Sequence, residues 1–195
     1  MIRPAARTAL FLAAFLVLPR LAAAQATPEQ AAVSYFATVK AGDWQANAAQ
    51  MHPQALSSMK AMFVELAALD TEGVVIGPML GVRRADELGA MAPPQLYQRV
   101  LNMVMTMQPQ VREIMEKAVF EPVGHVMEGD TAHIVYRMRM TIEGVDVTQT
   151  SVISMRQDAG EWKALLTGDV QNLLAGLRAA LQGAALGPRD EHEDH

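Results

Sequence analysis

Met103, Met105 and Met107 occupy alternate positions in the stretch NMVMTMQ. Thioether sulfurs are soft ligands, and several that converge on one point can hold Cu(I). Alternate side chains converge on a strand or a free loop but diverge on a helix. This stretch lies within a 3.6-residue apolar period: Leu96, Val100, Met103, Val104, Met107, Val111, Ile114 and Met115 fall on one line. On a helix, Met103 and Met107 then face the core and Met105 faces solvent. A methionine-based copper protein is kept as an alternative reading, resting on ligand softness and not on geometry.

Other familiar chemistries find little footing. His52, His125 and His133 lack both His-x3-His and His-Glu-x-x-His spacing, so no zinc motif is read, and no metal or cofactor is expected. The absence of cysteine excludes a disulfide framework, a thiol nucleophile and a lipid-modified N-terminal cysteine. There is no Gly-x-Ser-x-Gly elbow and no phosphate loop. His133, opposite Ser154 on a polar strand face, reads as solvated, and Arg83-Arg84 as surface charge.

The polar residues of one sheet face draw more interest. From Val119 the apolar period becomes two, which predicts strands over 119–128, 131–142, 145–156 and 161–167. Short turns at Gly129-Asp130, Glu143-Gly144 and 157–160 make antiparallel neighbours. The register sets Met138 against Gln149, Tyr136 against Ser151 and Ile134 against Ile153. A four-residue last turn sets Met155 against Trp162 and Arg156 against Glu161. Tyr136, Gln149 and Ser151 then interrupt an apolar face, and a two-residue first turn adds His125 opposite Ile134. A buried polar group without a partner costs about 1–3 kcal/mol. These residues therefore either hydrogen-bond one another or line a ligand pocket.

The elements that must position them are helical. Thr27-Pro28-Glu29-Gln30 is a capping box for a helix to about residue 40, with Ala32, Val33, Phe36 and Val39 as its apolar face. Gly42 ends it, and Asp43 caps a short helix carrying Trp44. A third helix covers 54–69. The span 70–93 is irregular, with a short strand over 71–76. A helix over 95–118 bends or restarts at Pro109, and a last one covers 169–182. Helices followed by strands make an α+β fold, with N-terminal helices packed on a curved antiparallel meander of about four strands and a C-terminal helix.

Residues 1–26 read as a secretory signal peptide: Arg3 and Arg7, an apolar run over 9–18, then small residues ending at Ala24 or Ala26. The expected organisation is a signal peptide, one domain over 27–182, and a disordered acidic tail over 183–195. The run is too short for a comfortable membrane span, so the cleaved protein is expected to be exported, periplasmic or secreted, without stable membrane insertion. Cleavage removes three of 16 basic residues and none of 21 acidic ones, leaving a charge of −8. That balance argues against nucleic acid as a partner.

The run TPEQAAVSYFATVKAGDWQANAAQMHPQAL, with its Ala41-Gly42-Asp43-Trp44 turn, and the later DAGEWKALL resemble the NTF2-like superfamily of SnoaL-type cyclases and ketosteroid isomerases. The resemblance spans most of 27–182 and implies a curved sheet wrapped into a cone whose mouth holds a small hydrophobic ligand. It also implies that a homodimer can form through the outer sheet face. Tyr35, seven residues before Gly42, matches the oxyanion-hole tyrosine of the isomerases. The carboxylate base that this chemistry needs after the second helix has no counterpart in QALSSMKAMF, where the first acids are Glu65 and Asp70. The expected function is an exported, non-catalytic binding or accessory domain for a small apolar ligand or a protein partner, with Tyr136, Gln149, Ser151, His125 and Tyr35 as the candidate lining. A SnoaL- or isomerase-type enzyme is the catalytic alternative.

Overall fold

The Thr27 hydroxyl accepts a hydrogen bond from the Gln30 backbone, and the Gln30 side chain accepts one from the Thr27 backbone. This reciprocal cap starts α1 (Pro28–Ala41), which ends where Gly42 turns left-handed at φ 65°. Asp43 caps α2 (Trp44–Ala49), and the His52 ring caps α3 (Pro53–Leu69). The computed structural model describes residues 26–70, 73–82 and 85–185. The expected signal peptide up to Gln25, the Arg83-Arg84 pair and the expected tail beyond Ala185 lie outside them, while residues 183–185 of that tail are helical.

Two short helices, α4 (Ile76–Leu80) and α5 (Ala85–Ala90), occupy the span expected to be irregular. The described part of the strand expected over 71–76 is not a strand, and the reason is Asp70. Its carboxylate accepts backbone N–H bonds from Val74, Val75 and Ile76 at 3.2, 2.9 and 2.7 Å. Those donors are gathered around one acceptor and cannot join a ladder, so the chain enters a helix.

The long helix restarts at its proline, as α6 (Pro93–Met107) and α7 (Pro109–Lys117). Gln108 between them is non-helical, at φ −129° and ψ 68°. The break corrects the methionine assignment. Met107, at the end of α6, is 69% exposed, whereas Met105 is half-buried in a crevice with Val39, Trp44 and Met115. A single apolar line drawn through Pro109 cannot be continuous once the second helix takes its own direction. Val33, counted on the apolar face of α1, is also exposed.

Four antiparallel strands follow in sequential order: β1 (Val119–Glu128), β2 (Thr131–Ile142), β3 (Val145–Asp158) and β4 (Glu161–Ala164). The β2–β3 register is the expected one at every position read from the sequence, and His125 pairs with Ile134. The β3–β4 register differs. Met155 faces Ala164 and Arg156 faces Lys163, because β3 runs on to Asp158 and turns through only Ala159 and Gly160. Both turn residues have positive φ, 51° and 85°, as a type I′ turn requires. The shift is two residues, so every side chain keeps its face. Arg156 consequently does not pair with Glu161. It lies 3.2 Å from Asp130, and Glu161 pairs with Lys163 at 2.6 Å.

The closing helix, α8 (Gly168–Ala185), packs on α3. Glu65 of α3 and Arg178 of α8 form an ion pair between them. The core joins Met59, Phe63 and Leu66 of α3, Leu96 and Val100 of α6, and Ile134, Ile153, Met155 and Ala164 of the sheet. This is the α+β arrangement the sequence predicts. No helix among the described residues is long and apolar enough to cross a membrane.

Candidate functional site

Tyr35 and Tyr136 meet in an aromatic cluster built on Phe36 of α1. The Phe36 ring stacks on Phe120 with centroids 3.9 Å apart, and lies 4.8 Å from Tyr136 and 5.5 Å from Tyr35. The Tyr35 hydroxyl is 3.5 Å from that of Tyr97, which donates to Asn47 Oδ1 at 2.6 Å. Asn47 Nδ2 donates in turn to Thr38 Oγ1 at 2.9 Å and to the Tyr35 carbonyl. Burial pushes both the Tyr35 and the Tyr97 hydroxyl well above the ordinary phenol pKa. Asn47 and Tyr97 escaped the sequence reading, for an Asn within an alanine-rich helix gives no sign of its depth.

The other expected lining residues are dispersed. Ser151 pairs with Tyr136 and is half-buried, and Gln149 is exposed. His125 Nδ1 contacts Glu29 Oε1 at the start of α1, and that hydrogen bond is the main cause holding Glu29 below the usual carboxylate range. The acids considered for isomerase chemistry are committed elsewhere, Glu65 to Arg178 and Asp70 to the backbone N–H groups of Val74, Val75 and Ile76.

An open cleft of about 820 Å³ lies where the β1–β2 turn, the end of β3, the segment after β4 and the first turns of α3 and α8 come together. Its apolar side is Ala55, Met62, Leu165 and Leu166. Its polar side includes Gln54, Ser58, Thr131, His133, Ser154 and Arg156. None of the five residues expected from sequence lines it. Strand alternation explains the polar side: Thr131, His133, Ser154 and Arg156 share the face opposite to Ile134 and Ile153.

Two polar assemblies organise that side. Arg156 donates to Thr131 Oγ1 and to Gln54 Oε1, both at 3.2 Å, and pairs with Asp130. His133 lies between Ser154, with Nδ1 2.9 Å from Oγ, and Glu128, with Nε2 3.0 Å from Oε2. An ionised carboxylate only accepts, so a neutral ring carries its proton on Nε2 and leaves Nδ1 to accept from the Ser154 hydroxyl. Among the described residues there is no group of three or more acidic or histidine side chains that could hold a metal ion. Comparison with family models, curated proteins and solved structures finds no match for the chain.

Proposed function

We propose that this chain is an exported binding domain for a small amphipathic molecule, and that the cleft between α3, α8 and the sheet is its site. One observation carries the reading: a cleft of about 820 Å³ with an apolar side facing a hydrogen-bonding side. Ligand sites commonly have this makeup, an apolar lining with a few placed polar groups, within a size range of about 300–1,000 Å³. Met62, Leu165 and Leu166 take the apolar body, and Gln54, His133, Ser154 and Arg156 take the polar end. The arginine and histidine are each matched by a nearby carboxylate, which favours an uncharged head over an anionic one. Export rests on the charged, apolar and small-residue pattern of residues 1–26.

Titration with an environment-sensitive apolar dye tests the site. Met62→Arg and Leu166→Arg each place a charge on the apolar side, and each is expected to weaken dye binding about 10-fold or more, since burying an unpaired charge is costly. Unchanged affinity in both folded variants would remove the cleft from consideration.

A further inference from the structure

We propose that Ser154, His133 and Glu128 form a hydrolytic site for carboxylic esters in this cleft. The proposal rests on the cleft as the ligand site and adds a reaction to it. Ser154 Oγ is 2.9 Å from His133 Nδ1, and Glu128 Oε2 is 3.0 Å from His133 Nε2. These are hydrogen-bond distances for a nucleophile, its base and the group that orients the base. Glu128 holds the Nε2 proton in place, and that tautomer makes Nδ1 the free base toward Ser154. All three side chains line the cleft, with Arg156 two residues along the same strand face.

The reaction balances without a further reagent. Ser154 Oγ bonds to the ester carbonyl carbon and its proton passes to His133 Nδ1. Arg156, held by Thr131, Gln54 and Asp130, offers its remaining guanidinium N–H groups as donors to the developing oxyanion. Collapse breaks the bond to the alkoxy oxygen, which leaves as an alcohol with the proton from Nδ1. Water then attacks the acyl-serine with Nδ1 again as base, releasing the acid and restoring Ser154. Met62, Leu165 and Leu166 hold the apolar acyl chain. Glu128 is a positioning residue that acts through His133, from a side chain that is 84% exposed.

An alkyl fluorophosphonate and intact-mass spectrometry of the full chain test this. One adduct per chain is expected, located on Ser154. Ser154→Ala abolishes it. His133→Asn slows it at least about 100-fold, the scale of a general base. Glu128→Gln slows it less, and Glu128→Asp restores part of the rate, because a carboxylate is what accepts the Nε2 proton. No adduct, or an equal one in Ser154→Ala, overturns the proposal. If Ser154 stays unlabelled while Met62→Arg still blocks the dye, the cleft binds but does not react. If Ser154 is labelled and both arginine variants bind dye normally, the chemistry holds and the apolar wall has been misassigned.

Discussion

Asn47 has 0% exposure and sits in an alanine-rich helix, yet every polar atom of its side chain is engaged. It holds α1 through Thr38 and the Tyr35 carbonyl, and α6 through Tyr97. Removing it leaves the buried Tyr97 hydroxyl with only the long 3.5 Å contact to the Tyr35 hydroxyl. Asn47→Ala is therefore expected to cost about 1–3 kcal/mol or more, read from urea denaturation midpoints. Single residues of this kind were the hardest to read from sequence. Tyr136 and Ser151 were correctly paired, but whether Tyr136 met a ligand or the Phe36 ring depended on a helix far away in the chain. The same holds for His133. Its strand face and its partner Ser154 were legible, whereas Glu128 bonding its other nitrogen was not.

The hairpins show how far local chemistry reaches. Glu143-Gly144 and Ala159-Gly160 both close through two residues with positive φ at each. The sequence predicts two residues for the first and four for the second. Alanine in the left-handed region carries a penalty of about 1–2 kcal/mol, and a Gln-Asp-Ala-Gly run fits a longer turn better. What outweighs the penalty is the pairing that the longer strand gains, with Gln157 on Trp162 and Asp158 on Glu161. Ala159→Gly relieves the strain and should raise stability by roughly 0.5–1 kcal/mol, measurable as a higher melting temperature. Helix starts are legible where a capping side chain or a first-position proline adjoins the helix, as at Thr27, Asp43 and Pro109. The start of α4 is not legible, because the carboxylate that gathers its first backbone N–H belongs to Asp70, six residues earlier.

At the scale of the molecule, the cleft draws on segments far apart in the chain, near residues 54–62, 128–133 and 154–171. Period and turn length say which strand face is polar but not which helix end closes over it. Long-range ties also set the acid response. Glu29 is bound to His125, which joins the start of α1 to β1. Its carboxyl lies below the usual range, so its stabilising effect is present above that range and fades as pH falls through the lowered value. Glu29→Gln should thus be less stable than the wild type near neutral pH, with the gap closing between about pH 5 and pH 3. Chemical denaturation at several pH values checks this.

The two sheet edges are finished in different ways. Beyond β4, the Ala164 N–H donates to the Gln50 carbonyl and the His52 N–H to the Ala164 carbonyl, both at 2.8 Å, so a short parallel segment covers that margin. Among the described residues no further strand pairs with the β1 margin, which exposes Val119, Val123, Val126 and Met127. Its protection is local: Pro122 lacks an N–H, and the register slips between Pro122 and Gly124. A foreign strand can therefore dock on either side of this irregularity but finds no unbroken run of donors along it. Uncontrolled fibrillar growth from a long apolar strand is held back by one imino acid and one extra residue.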